Sequence, residues 1–376
     1  MEKTPVYDLA IVGAGAAGLQ LLYEYLQSAE HKNSRILLID SGDRSKKSWC
    51  FWAASGHESF PFLIEKSWNK VTYRYTNSVR ETQKIDNLGY HYISSTNFFT
   101  YFFDQFIPAH PQINHQIGWV DTLTETESVV DIQIKDGSTY QAKQVADARI
   151  EKQVPSEKPT LSQHFWGKFI EFDTDTLDSE SATLMDFSQA QTSDDYAVFH
   201  YILPFSARKG LIETTVFSKK GYDEAAYAVH WNQYMEANFA GKKYQVLEEE
   251  RGTIPMALTN ASQQRGKIFA IGTASGQVKA STGYAFTRMH ADAKARVHQS
   301  SFMRKPRFKF YDSILLHMIQ TENKVIPQVM DQLFGCTPFA RVLNFLDEKT
   351  SIWQEIKMFS QLQIPLFLKH LVLKNR

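Results

Sequence analysis

The chain has 376 residues, 41 basic and 41 acidic side chains, and two cysteines. Zero net charge argues against an electrostatic nucleic-acid binder. Cys50 and Cys336 are too few for a disulfide framework and point to a reducing compartment. No zinc-type Cys/His spacing is present, so no metal site is expected. No apolar run approaches the ~20 residues that span a bilayer, and the first residues run straight into an apolar strand, leaving no room for a cleaved signal peptide. A cytoplasmic protein, or one peripheral to a membrane, is expected.

The most informative segment comes first. The β-branched run that ends at Val12 is followed by Gly13, Ala14, Gly15, Ala16, Ala17 and Gly18, then by Leu19, Leu22, Tyr23 and Leu26 at helical spacing. A second apolar run, Ile36–Ile39, ends in Asp40. Strand, tight turn, helix, strand and acid in this order form a dinucleotide site. Gly13 permits the turn, Gly15 lets backbone N–H groups approach a pyrophosphate, and Gly18 lets helix and strand pack closely. The helix N-terminus then faces the phosphate charge, and Asp40 can accept hydrogen bonds from a ribose.

Residues 41–56 read as a loop that ends in an aromatic cluster. Asp43 and Arg44 lie in it, where Arg44 either approaches the nucleotide or makes a solvated loop pair. Residues 69–94 alternate as antiparallel strands, residues 97–107 as a helix with a Phe/Tyr face, and residues 117–146 as a small meander turning at Gly137. Asp147 ends that meander, as a cofactor contact or as a simple strand cap. Residues 151–160, with Pro155 and Pro159, read as a linker. Strands follow over 165–172, 182–187, 196–204 and 210–217, then a helix over 223–238. A strand over 267–272 leads into a Gly/Ser/Thr-rich turn, where Gly272 and Gly283 can add backbone donors to the same ligand. A long helix is predicted from near Thr282 to about residue 300, and helices throughout 310–376.

Aromatic residues make up 13% of the chain. Most belong to a Phe-rich core, but clusters such as Trp49, Phe51 and Trp52 also suit the lining of a large apolar ligand. His91, His164 and His200 read as structural, and Arg251 as a partner for Glu249 or Glu250.

Taken together, the fingerprint with Asp40 and the segments Ser48–Trp52, Tyr90–Ile93, Asp147–Arg149, Gln163–Gly167, Leu184–Phe187, Leu203–Ser206, Leu211–Thr215, Arg251–Met256 and Ser281–Tyr284 resemble the flavoprotein lycopene cyclases. The resemblance covers essentially the whole chain. It implies a p-hydroxybenzoate-hydroxylase-like α/β fold in which a Rossmann-like FAD-binding domain is interrupted by a β-rich substrate domain, with a helical C-terminal region. The implied boundaries are 1–50, 91–160 and 262–300 for the FAD-binding domain, 51–90 and 161–261 for the substrate domain, and 301–376 for the helical region.

The resemblance also implies the chemistry. Bound reduced FAD, with NAD(P)H as its reductant, would act without net redox while lycopene end groups close to β-ionone rings, through γ-carotene to β-carotene. Glu213 is the proton donor implied by the cyclase motif. Where plant-type cyclases have a second adjacent acid this chain has Thr214, so a paired-carboxylate mechanism is not expected at that spot. Trp49, Phe51, Trp52, Tyr90 and Tyr92 are candidate contacts to the polyene or its cation or, equally, ordinary core residues. Lycopene enters from a membrane, and the basic cluster Arg304, Lys305, Arg307, Lys309 and the mixed apolar tail Ile352–Leu373 fit a lipid surface or, equally, a subdomain packed on the core. No obligate protein partner is expected. Two other activities share such a fold: a flavin-dependent reductase or monooxygenase acting on an isoprenoid, and a prenyl-lipid carrier. The intact fingerprint argues against the carrier.

Overall fold

The computed structural model describes residues 5–149, 161–219, 221–258, 266–300 and 305–362. The expected linker 151–160, Arg304 and the tail beyond Leu362 lie outside them.

The chain opens with strand β1 (Val6–Val12), helix α1 (Ala16–Gln27) and strand β2 (Ile36–Asp40). β2 is buried along its whole length, as parallel strands covered on both faces must be. β3 (Ser48–Ala54), β4 (Lys66–Trp68), β5 (Lys70–Arg74), β6 (Arg80–Lys84) and β7 (Leu88–Ser94) follow. Helix α2 (Ser95–Thr100) starts where the Ser94 hydroxyl accepts the Asn97 N–H, and it continues through Tyr101–Phe106 as a π-helical turn. These two pieces occupy the span predicted as one helix. β8 (Ile113–Ile117) precedes the predicted meander, which appears as β9 (Val120–Glu125), β10 (Val130–Ile134) and β11 (Thr139–Asp147), with Gly137 at φ +94° in its turn.

The strand-rich middle forms β12 (Ser162–Phe172), β13 (Ser181–Asp186), β14 (Tyr196–Pro204) and β15 (Lys209–Ser218). Helix α3 (Glu224–Phe239) then leads to β16 (Tyr244–Pro255). β17 keeps only Ile268–Ala270 of the predicted 267–272, because residues 272–275 coil into a 3-10 turn. The long helix predicted from Thr282 begins later, as α4 (Phe286–Val297). The Gly283 N–H bonds back to the Lys279 carbonyl and Gly283 sits at φ +76°, so residues 279–284 make a turn rather than a first helical turn. α5 (Pro306–Thr321), α6 (Ile326–Cys336), α7 (Phe339–Leu346) and α8 (Ile352–Phe359) complete the described chain.

Among the described residues three sheets result. The first runs β8-β2-β1-β11-β10-β9, with β17 added in parallel beside the end of β11. β1, β2, β11 and β17 are parallel, so their carboxyl ends share one edge, where ligands bind in open α/β sheets. The second runs β16-β12-β15-β14-β13-β5-β6. α3 covers one of its faces through Trp231, Tyr234 and Met235 on Ile170 and Ile212. Residues of α5, α6 and α7, such as Ile314, Met330, Leu333 and Leu343, join the core on the other face. The third is the small sheet β3-β7-β4. The boundaries predicted at 50/51 and 90/91 fall inside β3 and β7, which pair with each other.

Candidate active site

The glycine turn joins β1 to α1. Gly13 has φ +103°, a region that strains any other residue. A Cβ on Gly18 would stand 2.0 Å from the Gly13 carbonyl oxygen, so only glycine lets α1 pack this close. A Cβ on Gly15 would meet nothing within 4 Å. Gly15 is also the N-cap of α1, where no side chain caps the first-turn N–H groups. Open space in front of free helix donors is what a pyrophosphate requires. Gly272, at φ +64°, brings the second turn to within 2.7 Å of the Ala17 Cβ, measured from a Cβ placed on it. The two glycine turns therefore touch, and Gly13, Gly15, Ala16, Ala17, Gly272 and Gly283 line a common cavity. These residues fit a dinucleotide.

Asp40 ends β2 as predicted. Arg44 forks onto both of its oxygens at 2.9 and 3.0 Å, His115 Nε2 lies 3.0 Å from Oδ2, and the Gly42 N–H donates to Oδ1 at 2.7 Å. Burial opposes ionisation, but these hydrogen bonds hold the carboxyl well below its ordinary range. Arg44 also lies over the Phe103 ring at 3.9 Å, so it anchors the acid rather than pairing with the Asp43 side chain. Asp147 takes the second of its two readings, a strand cap. Its two oxygens are taken by Arg149 at 2.8 and 2.9 Å, and it is 2% exposed. It closes the end of β11 and does not line the cavity. Ala14 is likewise buried in the core rather than in the lining.

The same cavity, about 920 Å³, extends from the glycine turns across the second sheet to the C-terminal helices. Leu211, Glu213, Thr215 and Phe217 line it at every second position of β15, the period of a strand. The intervening Ile212 and Val216 pack towards α3. Glu213 therefore sits among apolar walls. Burial, and then the charge of Glu250, push its carboxyl up to about 8, against a hydrogen bond from Thr215 that favours ionisation.

Glu250 was not singled out from the sequence. In the β12 ladders Gly167 pairs with Glu213 on one side and with Glu250 on the other. A Cβ on Gly167 would stand 3.6 Å from the Glu213 Cβ and 3.3 Å from the Glu250 Cγ. Both acids thus flank a bare glycine, and both line the cavity. A second carboxyl thus stands beside Glu213 although the position after it is Thr214, and it comes from β16. Burial raises Glu250 to about 7, although Ser48 donates to its Oε2 at 2.8 Å. Arg251 pairs with Glu224 and Glu249, not with Glu250.

Among the predicted aromatic contacts, Trp49 and Trp52 line the cavity. Phe51 and Tyr92 do not. Phe51 shares its strand face with Trp49 but is stacked at 5.3 Å on Phe286, which itself lines the cavity, and Tyr92 packs on Phe205 at 4.9 Å. Tyr201 and Tyr284, which sequence reasoning missed, do line it. Tyr90 bonds both, with its hydroxyl 2.5 and 2.9 Å from theirs. His200 is stacked on Tyr234 at 3.8 Å on the far side of the sheet, and burial keeps it neutral.

Solved structures of this fold span the chain. A geranylgeranyl bacteriochlorophyll reductase-like protein from Thermoplasma acidophilum has a TM-score of 0.63 at 12% identity, covering 97% of this chain and 98% of that one. A flavoprotein/dehydrogenase from Cytophaga hutchinsonii has a TM-score of 0.60 at 10% identity, covering 99% and 100%. An HpxO variant from Klebsiella pneumoniae complexed with FAD has a TM-score of 0.55 at 13% identity, covering 94% and 98%. With the glycine cradle, they place the chain in the class of p-hydroxybenzoate-hydroxylase-like flavoprotein folds. No curated protein matches the chain in sequence. The family described as lycopene cyclase protein matches residues 8–365. The chain belongs to the lycopene cyclase family.

Proposed function

We propose that the chain is a lycopene β-cyclase that closes acyclic end groups by acid catalysis with no net redox change. The observation that carries this reading is Glu213, a carboxyl buried in the apolar wall of a cavity shared with the glycine cradle. A general acid for an alkene must hold its proton at neutral pH and be shielded from water, and apolar burial does both.

FAD is the cofactor of this reading, with NAD(P)H as its reductant, and the reduced isoalloxazine would supply electron density beside a developing positive charge. Gly13, Gly15, Ala16, Ala17, Gly272 and Gly283 would hold it. Glu213 delivers a proton to the terminal double bond of the end group. The neighbouring double bond attacks the tertiary cation, and loss of a ring proton gives the β-ionone ring. The faces of Trp49 and Trp52 favour that cation by about 0.5–2 kcal/mol each when dry.

The substrate would arrive from a lipid surface. No helix among the described residues is long and apolar enough to cross a membrane. α8 instead presents Ile352, Trp353 and Ile356 outward, 56, 80 and 52% exposed, beside Lys357. Phe310, on the neighbouring α5, lines the cavity and is itself exposed, which supports an entrance on this side.

Product analysis with purified, FAD-loaded, reduced protein and lycopene tests the reading. β-Carotene, formed through γ-carotene without stoichiometric NAD(P)H consumption, is expected. Unchanged lycopene would overturn it. One NAD(P)H consumed per product would favour an isoprenoid reductase instead.

A further inference from the structure

The geometry points to Glu250 as a second catalytic residue, the base that removes the ring proton after Glu213 has supplied the first. This inference rests on the cyclase reading above. Its basis is the row Tyr201, Glu213, Gly167, Glu250, which crosses β14, β15, β12 and β16 in register on one face of the sheet. Glu213, Glu250 and Tyr201 all line the cavity. Gly167 contributes no side chain between the acids, and a Cβ there would press on Leu211 at 2.8 Å and on Glu250 at 3.3 Å.

A single carboxyl performing both proton transfers must reach two carbons in one turnover. Protonation adds hydrogen to the CH carbon of the terminal alkene and leaves the cation on its dimethyl carbon, whereas the proton that leaves sits on the ring carbon carrying the polyene chain. Two carboxyl groups on neighbouring strands divide the task. The Glu213 O–H bond breaks and a C–H bond forms at the alkene. A C–C bond then closes the ring. The C–H bond at the chain-bearing ring carbon breaks, its electrons become the ring double bond, and the proton goes to Glu250. Substrate and product are isomers, and the pair ends with one proton as it began, now on Glu250. Its return to Glu213 past Gly167 resets the site.

The setting supports this division. Glu250 is held by Ser48, which favours its ionised form, while Glu213 has the more strongly raised carboxyl. The other titratable groups around the pair are Cys50 on β3, Tyr92 on β7, Tyr201 on β14, Tyr227 on α3 and Tyr284. Burial pushes every one of them upward, so they keep their protons through the neutral range. Arg251 is drawn to Glu224 and Glu249, and Lys47 stands at the cavity wall. The two carboxyls thus divide one exchangeable proton between them.

The experiment uses flavin-loaded wild type, Glu250→Gln and Glu250→Asp, with ring isomers separated and the pH–rate profile recorded. Without its base, the cyclised cation loses a proton elsewhere: from the adjacent ring methylene, giving an ε ring, or from the methyl group, giving an exocyclic γ ring. Glu250→Gln is expected to retain its flavin and melting temperature and to slow cyclisation by roughly tenfold or more. It should release ε or γ rings and lower the alkaline limit of the profile by about one pH unit, because the like charge beside Glu213 is gone. Glu250→Asp should restore mostly β rings. A Gln variant with wild-type products and profile overturns the inference while leaving the cyclase reading intact. A flavin-loaded wild type that leaves lycopene unchanged overturns both. Should the Gln variant fail to fold, the Asp variant decides. Its retracted carboxyl should cyclise slowly with a minority of ε or γ rings, and a wild-type rate with pure β product would overturn the assignment.

Discussion

Thr215 donates its hydroxyl to Glu213 Oε1 at 2.6 Å, two positions along the same strand and on the same face. Against burial and the charge of Glu250, this bond favours the ionised form of Glu213. It tunes the acid without touching its neighbour Glu250.

Replacing Thr215 with valine keeps the shape and removes the donor. A hydrogen bond to a charged group contributes about 1.5–3 kcal/mol, or about one to two pH units. The Glu213 carboxyl should rise further, and the alkaline limit of cyclisation should move up by up to that amount while the rate below it falls. A pH–rate profile of Thr215→Val checks this. An unmoved limit would mean that Glu213 does not set it.

Glu213→Gln should abolish cyclisation, with a loss of at least about 100-fold, and yet stabilise the fold at alkaline pH. The Glu213 carboxyl is raised to about 8 in the folded state, far above its ordinary value, so the native state binds the proton more tightly than the unfolded chain does. Its contribution to stability is complete below the unfolded value near pH 4.5 and is lost as pH rises through about 8. Glutamine has no proton to lose. Melting curves should coincide near pH 5 and separate by several degrees near pH 9, with the variant the more stable. Parallel curves would show that the carboxyl is solvated after all.

Gly15 and Gly18 should fail in different ways. Gly15 has φ −79° and open space around it, so alanine there fits the chain but intrudes on the pyrophosphate. Gly15→Ala is expected to keep the apoprotein's melting temperature and lose flavin, read as absorbance per protein. Gly18→Ala drives a Cβ into the Gly13 carbonyl and should lower the melting temperature itself. Equal flavin content in Gly15→Ala and wild type would count against the cradle.

The outward face of α8 gives a separate test. Each large apolar side chain is worth about 1.5–3 kcal/mol when buried, so serine at Trp353 and at Ile356 should each weaken binding to anionic vesicles by roughly tenfold or more. Cyclisation of lycopene delivered in detergent should persist. Undiminished vesicle binding by the double variant would place the lipid contact elsewhere.

The parts legible in the sequence are those whose reasons are local. Gly13, Gly15, Gly18 and Asp40 lie within 28 residues and follow from turn geometry alone, and the strand alternation that buries Glu213 is visible in Leu211, Glu213 and Phe217. Glu250 was hidden because Glu248, Glu249 and Glu250 form one acidic run. Only the register with Gly167, more than 80 residues away, shows which of the three faces inward. Phe51 and Tyr92 misled for a related reason. Each shares a strand face with a residue that does line the cavity, Trp49 and Cys50, and what sets it apart is its packing on Phe286 or Phe205, which composition does not show. Asp147 matched a strand end, but its partner Arg149 took the charge before any cofactor could.

The cavity has an implication for how the protein is made. Its wall at Gly13 to Ala17 leaves the ribosome well before its wall at Phe345 to Leu362. Until α5 to α8 emerge, Leu184, Phe199 and Phe217 lack the helices that cover them. The nascent chain therefore carries an open apolar trough until those helices are made. Stopping translation before α5 should yield an aggregating fragment rather than a weakly active one.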